Sequence, residues 1–133
     1  YDTTREHYFA SVHYLNPGPF GGTGLFRHRP TGYERLSPQR YPHFVEAAKN
    51  YVMKNGEPPF EYIKSSTEHF ELIGEIEYRP NRMVIYPGNI LHSGLIEPDR
   101  DLSIDPATGR LTANLFLDFH ETRAGNDTRK NSV

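Results

Sequence analysis

The chain has 133 residues and a formal net charge of −2 with both signs interspersed, so it offers no basic surface for nucleic acid or a membrane. This length suits one domain, and no apolar run approaches the ~18 residues that a membrane span requires. The absence of cysteine excludes disulfides, zinc–thiolate sites and thiol nucleophiles, and is compatible with a cytoplasmic location.

The first half of the chain predicts two strands and one helix. Residues 8–15 alternate in the manner of a strand, with one face formed by Tyr8, Ala10, Val12 and Tyr14. A turn cluster rich in Gly and Pro covers 16–22, and a second strand follows over 23–28, so we expect a hairpin with a wide loop. After an irregular loop, residues 42–54 carry one apolar stripe and predict a helix that covers one face of a sheet.

The second half predicts further strands. The segment 71–78 alternates acidic and apolar residues and favours one or two strands, and 83–86 favours another. A loop over 95–108 precedes a last strand at about 110–119. Six to seven short strands with one helix predict a mainly β sandwich or barrel, not a βαβ fold. We therefore expect one β domain over residues 1–120, followed by a polar tail over 121–133 that frays.

One of the seven histidines stands apart. His92 emerges from a Pro-Gly turn after the strand at 83–86 and is flanked by Ser93 and Gly94. It is either a metal ligand or a buried histidine that bonds a backbone carbonyl. We expect structural or surface roles for His28, His43 and His69, which neighbour aromatic or basic residues. We expect the last histidine, His120, to be exposed.

The last strand carries a polar stripe with an arginine. The predicted polar face consists of Arg110, Thr112 and Asn114, followed by Phe116. The opposite face is expected to pack against hydrophobic residues: Leu111, Ala113, Leu115 and Leu117. A guanidinium that points into a small β domain needs a partner, because an unpaired buried charge is costly. A bound carboxylic acid would match it bidentately, whereas Asp118 or another acidic residue would make it purely structural.

Several of these motifs resemble a known enzyme superfamily. Tyr14-Leu15-Asn16 followed by Gly21-Gly22-Thr23 and Phe26 resembles the "YLN…GGT-x-F" pattern of the prolyl-hydroxylase-like Fe(II)/2-oxoglutarate-dependent oxygenases. The stretch 82–88 with His92-Ser93-Gly94 resembles the strand-turn-strand that supplies the distal histidine of that fold. Together with Gly109-Arg110-Leu111-Thr112, these motifs are most similar to an uncharacterised bacterial family of this superfamily, DUF6445. The resemblance implies a double-stranded β-helix, or jelly-roll, with one or more covering helices.

The resemblance also implies a site. Its metal centre is a facial triad of two histidines and one carboxylate that leaves open positions on iron. By resemblance, Asp2 and His92 are iron ligands, and the first histidine would be the residue immediately before Tyr1. His7 is the substitute if no such residue exists. Arg110, with Thr112 and Tyr14, would bind 2-oxoglutarate, although Tyr14 could equally be a core aromatic. With two ligands alone, we expect weak iron binding.

The function implied is that of an Fe(II)- and 2-oxoglutarate-dependent dioxygenase, a hydroxylase whose substrate is a small molecule or a peptide. Two rivals stay open. The domain could be a metal-free jelly-roll module that binds a carboxylate or a sugar, or a cupin-like metal enzyme that does not use 2-oxoglutarate. No serine nucleophile elbow, P-loop, dinucleotide fingerprint or HExxH motif points to another chemistry.

Overall fold

A computed structural model describes residues 1–59 and 61–120. The strands are β1 (Tyr8–Tyr14), β2 (Thr23–His28), β3 (Phe70–Ile76), β4 (Met83–Pro87), β5 (His92–Gly94) and β6 (Thr112–Asp118), and the helices are α1 (Tyr41–Asn55) and α2 (Pro98–Asp101). The mainly β character is therefore confirmed. The predicted polar tail at 121–133 lies outside the described residues. Within them, neither helix has the length and apolar character needed to cross a membrane.

The strands form two antiparallel sheets of three. The first sheet has the order β4-β1-β6 and the second has the order β3-β2-β5. Residues of both sheets line one cavity, so the sheets face each other, but they do not close into a barrel within the described residues. The core has two clusters: one around Tyr14 and Tyr78, with side chains of the first sheet, and one around Phe26 and Leu95, with side chains of the second sheet and of α1.

The predicted hairpin between β1 and β2 is wrong. Both edges of β1 are occupied, one by β4 and the other by β6, so β2 pairs instead with β3 and β5 in the other sheet. The segment 15–22 crosses from one sheet to the other rather than turning back. Two glycines let it pass close to neighbouring backbone: a Cβ on Gly21 would lie 1.6 Å from the Leu95 carbonyl oxygen, and one on Gly22 would lie 2.0 Å from that of Ile76.

The last strand also differs from its prediction. It begins at Thr112, so Arg110 lies just before it. The face expected to be packed is exposed: Leu111, Leu115 and Leu117 are all accessible, as is Ala113. No described element covers this side of the first sheet. The predicted loop at 95–108 contains the short helix α2, because Pro98 opens a single turn whose Asp101 is buried.

The helix α1 confirms the predicted segment at 42–54 and extends it by one residue at each end. Its aromatic residue Phe44 packs against the core cluster around Phe26. No residue of α1 is fully buried, so the helix covers its sheet only loosely. It contributes to the wall of the core and no side chain of it lines the cavity described next.

Candidate functional site

A polar cavity of about 200 Å³ lies between the two sheets. Its wall comes from both sheets and from the segment before β1. The polar residues that line it are Asp2, Ser11, Thr23, Tyr86, His92, Arg110, Thr112 and Asn114. Four of these were predicted as site residues from widely separated positions, namely Asp2, His92, Arg110 and Thr112. The fold brings these four to one space.

His92 presents one ring nitrogen to this cavity. It opens β5, where it stands opposite Leu25 of β2. Its Nδ1 lies 2.9 Å from the Ile90 carbonyl oxygen. A carbonyl only accepts, so Nδ1 carries the proton and Nε2 keeps its lone pair. Burial lowers the pKa of His92, and the hydrogen bond to Ile90 opposes that shift. The ring is therefore neutral near pH 7, which is the form that ligates a metal.

The carboxylate of Asp2 faces this nitrogen. Its Oδ2 lies 3.8 Å from His92 Nε2, and the two side chains are 26% and 14% exposed. The backbone of Asp2 is fixed, because its N–H donates to the Gly88 carbonyl oxygen at 2.7 Å in the turn after β4. An imidazole lone pair and a carboxylate oxygen at this separation are two donors of the kind found in a 2-His-1-carboxylate site.

Arg110 also lines this cavity. Its Nε donates to the Gly21 carbonyl oxygen at 2.8 Å. The guanidinium carbon lies 5.4 Å from the Tyr14 ring centre and 5.6 Å from that of Tyr78, which is cation–π distance. Asp118, its possible structural partner, instead pairs with Arg5. Within the described residues no carboxylate pairs with Arg110, so its terminal nitrogens are available to a ligand.

Tyr14 supports the cavity from behind. Its side chain is fully buried, and its hydroxyl lies 2.7 Å from the Thr23 hydroxyl oxygen. Its ring packs against Tyr78, with centroids 4.5 Å apart, and against the guanidinium of Arg110. The structure therefore places Tyr14 one layer behind Thr23, and its role in binding a cofactor stays a prediction.

Tyr86 and Thr23 line the cavity but were not predicted as site residues from the sequence. Tyr86 of β4 has its ring centre 4.7 Å from that of His92. Burial, helped by the negative charge of Asp2, raises the pKa of Tyr86 to about 12, so its phenol stays protonated and able to donate. Thr23 opens β2 and bonds Tyr14. The signal for Tyr86 was present in the alternation of β4, where it shares a face with Val84.

The remaining histidines lie elsewhere. His28 is buried among aromatic rings, and His43 and His120 are exposed, as predicted. His13 bonds the Asn81 side chain at 3.0 Å. His7, the substitute ligand, is exposed and lines a different surface depression, beside Asp118. His7 therefore does not join Asp2 and His92.

The donor set for a metal comprises Asp2 and His92. No group of three or more His, Cys, Asp or Glu side chains with metal-binding geometry occurs in residues 1–59 and 61–120. The two donors fit part of a facial triad, because Nε2 is unprotonated and faces the carboxylate. The third ligand is still predicted to be the residue before Tyr1.

Comparison with protein families gives one match. A family described as "Family of unknown function (DUF6445)" matches residues 1–117. No curated protein and no solved structure matches the chain. The matched segment includes every side chain that lines the cavity.

Proposed function

The chain belongs to the DUF6445 family, and on that premise we propose that it is an Fe(II)- and 2-oxoglutarate-dependent dioxygenase that hydroxylates a small molecule or a peptide. One observation carries the proposal. A neutral imidazole nitrogen, a carboxylate oxygen 3.8 Å from it and a guanidinium without a carboxylate partner among the described residues share a cavity of about 200 Å³. These are the groups that a metal and a dicarboxylate require.

The metal would be held by His92 Nε2 and the Asp2 carboxylate, with a third ligand from the residue before Tyr1. The hydrogen bond from Nδ1 to Ile90 fixes the ring orientation, as second-layer partners of ligating histidines commonly do. Iron with 2-oxoglutarate supplies the oxidising chemistry when both are bound. The chain contributes the positions of the ligands, and Ala10 and Val12 form an apolar part of the cavity wall.

The distal carboxylate of 2-oxoglutarate would pair with Arg110. Its Nε is already engaged by Gly21, so the two terminal nitrogens form the fork that matches a carboxylate. The Thr112 hydroxyl lines the cavity beside it and would donate a further hydrogen bond. We propose in the same terms that the two facing sheets are part of a double-stranded β-helix, in which such a cavity lies between the sheets.

A second candidate rests on the same arginine. Arg110, Thr112 and Asn114 form a polar surface that needs no metal to bind a carboxylate, so a metal-free binding module is the alternative. A cupin-like metal enzyme that uses only Asp2 and His92 is a third. Carboxylate binding without a metal would favour the binding module, and metal binding without 2-oxoglutarate binding would favour the cupin-like enzyme.

The test is equilibrium binding of Mn(II) and 2-oxoglutarate by the full-length protein, followed by succinate release with Fe(II) and oxygen. We expect His92→Ala to abolish metal binding, and Arg110→Met to weaken 2-oxoglutarate binding about 100-fold because charge-assisted hydrogen bonds are lost. Matched controls are His13→Ala and Arg27→Met, since His13 bonds Asn81 and Arg27 pairs with Glu34 away from the cavity.

Each outcome has a definite meaning. Wild-type protein that binds neither ligand, or binding unaffected by both cavity variants, contradicts the proposal. Binding of 2-oxoglutarate without metal supports the binding module. The residue encoded before Tyr1 gives an independent check, because the proposal expects histidine there.

A further inference from the structure

A buried carboxylate lies directly behind the cavity arginine. Asp101 ends α2 and is 1% exposed, and its side chain is wholly enclosed. It is the one acidic residue that is buried in the described part of the chain. Removing an ionised carboxylate from water is costly, so such a residue is retained only where its oxygens are satisfied.

Four hydrogen bonds satisfy this carboxylate. The backbone N–H groups of Glu97 and Gly21 donate to Oδ2 at 2.8 and 3.2 Å. The Arg100 guanidinium donates to both oxygens, at 2.6 Å from Nε and 2.9 Å from Nη2. Burial by itself would raise the pKa of Asp101, but the Arg100 guanidinium and the two backbone N–H groups lower it, so the residue is ionised.

The hydrogen bonds continue to Arg110 through the backbone of one residue, Gly21. Gly21 donates its N–H to Asp101, and its carbonyl accepts from Arg110 Nε at 2.8 Å. The backbone N–H of Arg110 donates to the Asp101 carbonyl oxygen at 2.8 Å. Asp101, Gly21 and Arg110 thus form a closed ring of contacts. Gly21 is also closely packed against Leu95, because a Cβ on Gly21 would lie 1.6 Å from the Leu95 carbonyl oxygen.

We propose that Asp101 is a positioning residue that fixes the guanidinium of Arg110 through the Gly21 backbone. An arginine side chain is long and loses much rotational freedom when it is held by a ligand. Here the Nε–H is fixed beforehand and the planar group lies against Tyr14 and Tyr78, so less freedom remains to be lost on binding. The expected effect of Asp101 on 2-oxoglutarate binding rests on the proposed function. Its effect on the position of the Arg110 side chain does not.

The first measurement needs no ligand. The Nε–H group of an arginine gives its own signal in a ¹⁵N-correlated NMR spectrum, and its exchange with water reports its hydrogen bond. We expect a protected Arg110 signal, identified by its loss in Arg110→Lys, and faster exchange in Asp101→Asn. Asp99→Asn is the matched control, because Asp99 lies in the same helix but is exposed. Unchanged exchange in a folded Asp101→Asn protein overturns the proposal.

A surface variant covers the case in which Asp101→Asn does not fold. Arg100 is 43% exposed, and Arg100→Gln removes the charged donor while leaving the two backbone donors to the Asp101 carboxylate. We expect it to accelerate exchange of the Arg110 Nε–H in the same direction, by a smaller factor. If it leaves that exchange unchanged, Asp101 does not act on Arg110.

The second measurement uses 2-oxoglutarate. We expect Asp101→Asn to weaken its binding about ten-fold, the size of one lost hydrogen bond, while Mn(II) binding is unchanged. In an Arg110→Met background the same change should cause no further loss, because the group it positions is gone. Wild-type protein that fails to bind 2-oxoglutarate contradicts the proposed function alone. An equal loss in both backgrounds shows that Asp101 does not act through Arg110 and overturns its positioning role.

Discussion

Two histidines with lowered pKa values, His28 fully buried and His92 partly buried, lie in different regions and have different surroundings. His28 Nδ1 lies 2.8 Å from the Thr31 hydroxyl oxygen, and its ring is surrounded by Phe44, Phe70 and His69. His92 has a similar anchor at Nδ1, yet its Nε2 faces the Asp2 carboxylate in a polar cavity. What faces the second ring nitrogen separates a structural histidine from a candidate ligand.

Burial and pKa do not make this distinction. Burial, with a contribution from nearby His69, lowers the pKa of His28 to about 4, and burial likewise lowers that of His92. Both rings are neutral at pH 7 for the same reason. The comparison therefore predicts that changes at His28 alter stability, whereas changes at His92 alter binding.

The largest expected effect is that of His28→Ala. The side chain fills a fully enclosed space, so its removal should lower the free energy of unfolding by about 3 kcal/mol. His92→Ala, at the wall of an existing cavity, should cost about 1 kcal/mol. Urea unfolding followed by circular dichroism measures both. Equal losses of unfolding free energy in the two variants would contradict the distinction between a structural His28 and a ligand-binding His92.

Acidification should have an effect of comparable size. The folded-state pKa of His28 lies below the unfolded value of about 6.5, so the unfolded chain binds more protons as the pH falls. The contribution of His28 to stability is therefore fully present above pH 6.5. Below that pH, the free energy of unfolding should fall by up to about 1.4 kcal/mol per pH unit until about pH 4. His92 adds to this loss with the same sign.

The variant His28→Gln isolates the contribution of His28 to this pH dependence. Its side chain does not titrate, so its stability should depend less steeply on pH between 6.5 and 4. Urea midpoints over this range measure the slopes. Identical slopes in the variant and the wild-type protein would contradict the role assigned to His28.

The smallest effect concerns His69. Its Nε2 is buried with no hydrogen-bond partner among the described residues, and its ring stands edge-on to Tyr51 with centroids 3.6 Å apart. A phenyl ring keeps the aromatic contact and removes the unsatisfied nitrogen, so His69→Phe should stabilise the fold by about 1 kcal/mol. A higher thermal midpoint is the expected result. A lower one would indicate that His69 has a polar role.

Local pattern predicted most elements well. The strands β1, β2 and β4 and the helix α1 follow from alternation and from one apolar stripe, and each was predicted within a few residues. Pairing between strands was not predictable in the same way. The segment 15–22 has the composition of a hairpin loop, and nothing local reveals that β4 and β6 occupy both edges of β1.

The site was predictable to the extent that a resemblance supplied its residues. Asp2 and His92 are 90 positions apart, so no spacing rule connects them, and only the fold shows that they are neighbours. The burial of Asp101 was not predicted, because an acidic residue in a loop rich in Asp and Pro is expected to be solvent-exposed. Its burial depends on Gly21, which lies 80 positions earlier.

The exposed face of the first sheet has a practical consequence for handling the protein. Leu115 and Leu117 of β6 and Ile85 and Met83 of β4 form an uncharged surface on either side of Ser11. Repulsion between like charges does not keep such surfaces apart, so contact between them is controlled by the solvent. Sulfate and other excluded salts strengthen that contact, and mild chaotropes weaken it. Association of the chain through this face should therefore depend on the choice of salt.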